Sequence, residues 1–222
     1  MKNIVIFGTG GLAREVHQIV EDINGSAPAW KFLGFLDGNV ANHGKEVHGS
    51  PVFGGVEWLT QTDAADVYVV VAIGNPVSKR KIIESIKQQS DAHFATLVHP
   101  RAWVGSFVDI GQGSIICAGA LITTDIKIGE YVIVNIGSTI GHDACIDDFV
   151  TIAPTVNVSG SVHVGQGTDL GTGSTVIQGC SIGEWSIVGA GAVVVKNIDA
   201  NVTAVGAPAK AIKTRAAGWH LE

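Results

Sequence analysis

Charge is what this chain most lacks. Asp, Glu, Lys and Arg make up only 15% of its 222 residues, and 20 acidic side chains outnumber 14 basic ones, for a formal net charge of -6. With a pI near 5.7, it has no basic excess of the kind that neutralises a polynucleotide backbone, which argues against nucleic acid as a partner. A local loop that holds one phosphorylated small molecule remains compatible with that balance. Long apolar runs are missing too. The composition is 46% hydrophobic and the mean hydropathy is +0.33, yet runs such as Val67–Ile73 fall far short of the roughly 20 residues of a spanning helix. No membrane insertion is expected. The N-terminus, MKNIVIFGTGG, runs straight into a strand and a glycine turn, so no signal peptide is expected either. Cysteine is scarce: Cys117, Cys145 and Cys180 are odd in number and lack metal-type spacing. They read as reduced, mostly buried thiols of a cytoplasmic protein, with no metal site.

What the chain has instead is glycine, 29 in all, with abundant valine and isoleucine. Residues 1–96 use them in an alternating α/β grammar. Asn3–Phe7 is a short apolar strand followed by Gly8, Gly10 and Gly11. Leu12–Ile23 is amphipathic, with Leu12, Val16, Ile19, Val20 and Ile23 at helical spacing. Lys31–Leu36 is a second strand ending at Asp37, and Val67–Ile73 is a β-branched run suited to a strand buried on both faces. After Gly74-Asn75-Pro76 a helical pattern resumes through Ile82, Ile83 and Ile86, and His93–Leu97 is a last short strand. The order implies a parallel sheet with crossover helices, a small Rossmann-like unit.

From Val98 the grammar changes. Every sixth residue from Val98 to Val194 is aliphatic, seventeen in succession without a break. The residue two before the next aliphatic is often small, as at Ala102, Ser114, Ala120, Ser138, Ala144, Ser174, Cys180, Ser186 and Ala192. Residues two apart in a strand point the same way, so both positions face inward. Glycine often follows the aliphatic, as at 105, 111, 129, 141, 165, 171, 183 and 189, where it is expected to allow the corner that each hexapeptide needs. Such a fixed period marks a hexapeptide β-helix whose triangular coils take 18 residues. Residues 97–198 form that domain in nearly six coils. Residues 199–222 leave the pattern, with Asn201–Lys213 as an exit loop and Thr214–Glu222 as a short tail.

A hexapeptide repeat that ends in GAPAK resembles the left-handed parallel β-helix acyltransferases. With a Rossmann-like domain in front, the chain resembles the narrower NeuD/PglD-type nucleotide-sugar acetyltransferases: sialic acid O-acetyltransferases and aminosugar N-acetyltransferases of bacterial glycan biosynthesis. The pieces that carry the likeness are GTGGLARE (8–15), GFLD (34–37), VFGG (52–55), AIGNP (72–76), HP (99–100), NIGSTIGHD (135–143) and VGAPAK (205–210). Their order and spacing over residues 1–213 are far more specific than any one of them. The resemblance implies acetyl-CoA as co-substrate, a nucleotide sugar as acceptor, a homotrimer with active sites between subunits, and a place in lipopolysaccharide O-antigen biosynthesis.

The His142-Asp143 pair interrupts the packing pattern. A corner histidine alone reads as a solvated turn residue, but acyl transfer needs such a group. The attacking amine or hydroxyl must lose a proton, and an imidazole, with an ordinary pKa near 6.5, can accept it at neutral pH. A neighbouring carboxylate fixes the tautomer. The resemblance implies His142 as general base, Asp143 as its orienting carboxylate and Asn135 as a further active-site residue. Gly160, one coil beyond His142, is the implied source of the oxyanion-contacting N–H. The implied CoA-facing set is Gly160, Thr172, Ala190, Gly206, Pro208 and Lys210; the loop 205–210 reads equally well as a cap over the end of the β-helix. Thr151 stands where some family members carry a second histidine, so a two-histidine mechanism is in doubt and Thr151 is left as a partner for a sugar hydroxyl. His163, beside Val164, reads as a corner residue with a weaker role at a subunit contact.

In the front domain, Gly8-Thr9-Gly10-Gly11-Leu12-Ala13 fits G-x-G-x-x-A. The bland reading is a tight strand-to-helix turn, but such a turn also presents N–H groups to phosphate. The unit is too short for a two-halved NAD domain, which excludes a dehydrogenase. The family likeness assigns Gly8, Gly10, Gly11, Arg14, Asp37, Gly74 and Asn75 to the nucleotide part of the substrate; Arg80 reads as a solvated charge. The leading function is N-acetylation of a nucleotide-linked 4-amino-4,6-dideoxy sugar. The alternatives are sugar O-acetylation, a zinc carbonic anhydrase of β-helix type, whose histidine set His99, His142 and His163 do not supply, and a non-catalytic β-helix trimer.

Overall fold

A computed structural model describes residues 1–61 and 66–221. Contacts divide the chain into two units, residues 1–74 with 78–100, and residues 75–77 with 101–222. In the first, β1 (Lys2–Phe7) leads through Gly8–Gly10 into α1 (Gly11–Ser26), which buries Ala13, Val16, Ile19 and Val20. Next come β2 (Trp30–Leu36), β3 (Glu46–Val47), β4 (Ser50–Gly54), α2 (Glu57–Gln61), β5 (Val67–Val71), α3 (Pro76–Gln89) and β6 (His93–Phe94). The sheet order is β3-β4-β2-β1-β5-β6. Central β1 pairs in parallel with β2 and β5, and Ile4 to Phe7 are all buried, as a strand covered on both faces requires.

Three details depart from the sequence reading. The strand expected over Val67–Ile73 ends at Val71, and the one expected over His93–Leu97 breaks after Phe94. The β3–β4 hairpin is an antiparallel edge on an otherwise parallel sheet. Its turn, His48-Gly49, has φ of 48° and 72°, the positive pair of a two-residue hairpin loop. His99, 3% exposed, sets its Nε2 2.7 Å from Asp22 Oδ2 on α1. This contact ties the segment up to Pro100 to the first unit, beyond the boundary expected at residue 96.

The second unit is a parallel β-helix with an 18-residue repeat, seen in the register Leu121↔Thr139↔Asn157↔Thr175↔Val193. Its strands stack into three faces. The first includes Ile133–Val134, Thr151–Ile152 and Asp169–Leu170; the second Thr139–Ile140 and Asn157–Val158; the third Cys145–Ile146 and His163–Val164. From Ile116 to Val194 every sixth residue is buried. Val98, 37% exposed, is not in this core. Buried serines tie coils together: Ser138 Oγ donates to Ala153 O at 2.9 Å and accepts from Val156 N at 3.2 Å.

The glycines that follow the aliphatics are not the corner formers. Positive φ falls two residues later, at Tyr131, Gly137, Asp143, Phe149, Thr155 and Ser161, among others. A side chain at Gly141 would instead meet Gly160 N at 2.6 Å, and one at Gly105 would meet Thr123 O at 2.0 Å. These glycines let one coil lie against the next. The expected exit loop is also ordered. Val202–Val205 adds to the first face beside Ile187–Val188, and Lys210–Thr214 pairs with it antiparallel. Buried Val202 and Ala204 continue the inward alternation, while the fully exposed outer strand carries Lys210 and Lys213, charges that blunt a sheet edge. Among the described residues, no helix is long and apolar enough to cross a membrane.

Candidate active site

His142 and Asp143 occupy the corner between the second and third faces. Asp143 has φ 59°, a left-handed conformation that aspartate tolerates better than most residues. The turn swings its carboxylate back so that Oδ2 lies 2.7 Å from His142 Nδ1. Both side chains are more than half exposed, so the pair is open to a ligand. Main-chain bonds fix the corner: Asp143 N donates to Thr124 O on the coil below at 3.2 Å, and His142 O accepts from Ser161 N above at 2.7 Å.

Gly160 lies directly over the imidazole. A Cβ there would fall 2.6 Å from both His142 Cε1 and Nε2, so only glycine leaves the ring its place. Gly160 N donates to no protein acceptor among the described residues. With Nδ1 engaged by Asp143, Nε2 is the ring nitrogen left for another partner, beside the backbone of Gly160.

In the front unit the carboxyl ends of β1 and β2 meet. Gly8, with φ 120°, brings the chain so close that a Cβ would touch Ala72 O at 3.0 Å. Gly10 caps α1, and Gly10 and Gly11 have open space around them. Asp37 lies at the centre of a hydrogen-bond cluster that the sequence reading missed. The Thr9 hydroxyl donates to Oδ2, Asn42 Nδ2 donates to the same oxygen at 3.2 Å, and Asn39 N donates to Oδ1 at 2.8 Å. Burial alone would raise the Asp37 pKa, but these three donors outweigh it and hold the group below the ordinary carboxylate value. His43 Nε2 lies 2.7 Å from Asp37 O. Strand-end positions are where such a sheet binds ligands, and that rule points to Thr9; Asn39, Asn42 and His43 carry no comparable pattern. Arg14 is exposed, and Arg80 pairs with Glu84 one helical turn on rather than being solvated alone.

Comparison with known proteins bears on this geometry. The family profile described as PglD N-terminal domain matches residues 3–86. GDP-perosamine N-acetyltransferase of Escherichia coli O157:H7 is 33% identical over 215 residues, 94% of this chain and 95% of that protein. The chain belongs to the PglD-type nucleotide-sugar acetyltransferase family. Solved structures extend the likeness to the fold of this family, a small α/β domain followed by a left-handed β-helix. A histidine-to-asparagine variant of perosamine N-acetyltransferase from Caulobacter crescentus, in complex with CoA and GDP-perosamine, has a TM-score of 0.86 at 29% identity, over 96% of this chain and 98% of that one. The acetyltransferase domain of PglB from Neisseria gonorrhoeae, in complex with acetyl coenzyme A, has a TM-score of 0.84 at 30% identity, over 95% and 99%.

Within one chain of this acetyltransferase the expected site residues are not all together. Asn135 follows a first-face strand and precedes the second-face strand whose far end carries His142; its Oδ1 accepts from Ile136 N at 2.8 Å. Thr151 lies on the first face, 6% exposed, rather than beside the histidine. Thr172 and Ala190 share the Asn135 edge of the prism, both exposed, and Gly206, Pro208 and Lys210 lie beyond the last coil, exposed as well. Gly74 and exposed Asn75 follow β5. His163 is a strand residue of the third face rather than a corner residue, its Nε2 2.9 Å from Asp147 Oδ2.

Proposed function

We propose that this chain transfers an acetyl group from acetyl-CoA to the amine of a nucleotide-linked 4-amino-4,6-dideoxy sugar, as a cytoplasmic step of bacterial surface-glycan biosynthesis such as O-antigen assembly. The observation that carries the reading is the His142–Asp143 pair seated under Gly160, in a chain alike over almost its whole length to a GDP-perosamine N-acetyltransferase. His142 Nε2 takes the proton as the sugar nitrogen attacks the thioester carbonyl. Asp143 at Nδ1 stabilises the resulting imidazolium. The Gly160 N–H faces the oxyanion, and collapse breaks the C–S bond while the imidazolium returns the proton to the departing sulfur. The product is an amide and free CoA. That related enzymes were crystallised with CoA and GDP-perosamine as histidine-to-asparagine and histidine-to-alanine variants supports a reactive histidine in the family.

Three copies of the chain complete the site in this reading. The second face exposes Trp103 and Leu121, and the edges beside it expose Phe107, Ile136, Ile177 and Val195, large apolar side chains that a subunit interface would cover. Asn135, Thr151, Thr172 and Ala190 lie away from the His142 corner of their own prism and serve the corner of a neighbour. CoA runs between them, with Gly206, Pro208 and Lys210 at its phosphate end. Gly8, Gly10, Gly11, Arg14, Asp37, Gly74 and Asn75 receive the nucleotide.

Thiol release from acetyl-CoA with GDP-, UDP- and dTDP-linked 4-amino sugars, beside free sialic acid, tests the proposal. Turnover with a nucleotide-linked amino sugar supports it; turnover with sialic acid alone overturns it in favour of O-acetylation. Light scattering should give three times the 23.0 kDa chain mass, and a monomer overturns the shared site.

A further inference from the structure

Cys145, Asp147 and His163 converge on the third face, one coil edge away from the acyl-transfer corner. Cys145 and His163 stand directly opposite each other on neighbouring strands. Asp147, two residues after Cys145, reaches toward both: its Oδ1 lies 3.7 Å from Cys145 Sγ and its Oδ2 lies 2.9 Å from His163 Nε2. All three ligand atoms lie within 4.8 Å of one another. We propose that these three side chains form a binding site for one zinc ion, separate from the transfer chemistry at His142.

The chemistry of the donor set selects the ion. One sulfur, one imidazole nitrogen and one carboxylate oxygen form a mixed set that suits zinc, whereas magnesium and calcium take oxygen ligands. Zinc–ligand bonds of about 2.0–2.3 Å at tetrahedral angles place donor atoms roughly 3.3–3.8 Å apart. Asp147 Oδ1 already stands at such a separation from the sulfur, 3.7 Å, while it is the other carboxylate oxygen, Oδ2, that meets His163 Nε2 at 2.9 Å. Rotation of the carboxylate and imidazole brings one oxygen to both, from a starting set of donor atoms no more than 4.8 Å apart. Both strands belong to the coil lattice, so the backbones that carry Cys145 and His163 are fixed opposite each other before any metal arrives. A cavity of about 390 Å³ lined by Cys145 and Asp147 together with Gln166 and Glu184 opens beside the trio, which leaves a fourth position for water.

Without metal the trio satisfies itself by hydrogen bonds. Burial, then the Asp147 charge and hydrogen bond, push the Cys145 thiol up from its ordinary value, while Lys127 on the adjacent strand pulls it down. Zinc displaces the thiol proton to solvent, and His163 offers Nε2 as the tautomer protonated at Nδ1. The ammonium of Lys127 then lies beside the thiolate and offsets its charge.

Titration of the full-length protein with zinc, after chelator treatment and in a non-chelating reductant, should show one equivalent bound per chain with micromolar or tighter affinity. Cobalt(II) in its place should give a thiolate-to-metal charge-transfer band. Cys145→Ser should abolish that band and weaken binding at least tenfold; His163→Gln and Asp147→Asn should each weaken it by a similar factor. Absence of stoichiometric binding overturns the site. Binding that survives both Cys145→Ser and His163→Gln, or a cobalt spectrum without a thiolate band, overturns it as well. Circular dichroism matching the wild type secures the variants against misfolding, and because none of the three residues takes part in acetyl transfer, their activity should be retained.

Discussion

The two units of this acetyltransferase hold their functional groups by opposite means. In the β-helix, position in sequence is position in space: a step of 18 residues is a step to the adjacent coil, so Gly160 must lie over His142 and His163 beside Cys145. In the α/β unit, the groups around Asp37 come from a strand end and a loop, Thr9 on one and Asn39, Asn42 and His43 on the other, and only hydrogen bonds bring them together. A lattice fixes its residues through its core; a loop cluster fixes its residues through each other. Substitutions in the first should separate catalysis from stability cleanly, whereas those in the second should disturb both together.

The largest effect is expected where the lattice presents a side chain that it does not need. His142→Ala should lower kcat by about 10²–10⁴-fold, the range for loss of a general base. Thermal melting should match the wild type, because the imidazole is more than half exposed. Unchanged turnover would remove His142 from the mechanism. The opposite result is expected one layer inward. Ile152→Ala, fully buried in the same stack, should cost about 2–5 kcal/mol in denaturant unfolding while the surviving folded enzyme keeps its kcat.

A pair of glycines, one from each unit, comes next. Gly160→Ala places a methyl 2.6 Å from the imidazole. A displacement of about 1 Å at a catalytic group costs on the order of 10²-fold in rate, and stability should change little because the ring tip can move aside. Gly10→Ala meets nothing within 4 Å, so the fold should tolerate it. Its expected effect is a several-fold rise in KM for the nucleotide sugar, with kcat unchanged, as a methyl crowds the phosphate turn. A Gly10→Ala enzyme with wild-type KM would remove that turn from the binding site.

The same contrast decides what could be read in the chain itself. The hexapeptide period gave the coil, the inward residues and the lateral neighbours of every position, because one number governs all three. It misassigned the glycines, since a residue spared for close approach and one spared for positive φ look alike in sequence, and Asp143 and Thr155 show that corners accept other residues. It also hid the Cys145–Asp147–His163 cluster: a spacing of 18 is not a metal-ligand spacing in a helix or a loop, and becomes one only on this lattice. In the α/β unit, apolar runs and the glycine turn yielded β1, α1, β2 and α3, while the hairpin turn at His48-Gly49 and the loop partners of Asp37 passed unseen. Their bonds are set by tertiary contact, and no local period announces them.

The smallest effect tests the loop cluster by pH. The Asp37 carboxylate is held below its ordinary value by Thr9, Asn39 and Asn42 against the opposing influence of burial. A carboxylate with a depressed folded pKa contributes stability that is fully present above its unfolded value, near 3.9. That contribution is lost as pH falls through the folded value. Asp37→Asn should therefore lower the melting temperature by a few degrees at neutral pH, and the gap to the wild type should narrow below about pH 4. Asp143→Asn, which alters a carboxylate more than half exposed and bonded to its neighbouring histidine, should lower kcat instead. A gap for Asp37→Asn that persists unchanged into acid would show that its charge does not hold the loop. The two units would then differ in topology but not in the means by which they hold their sites.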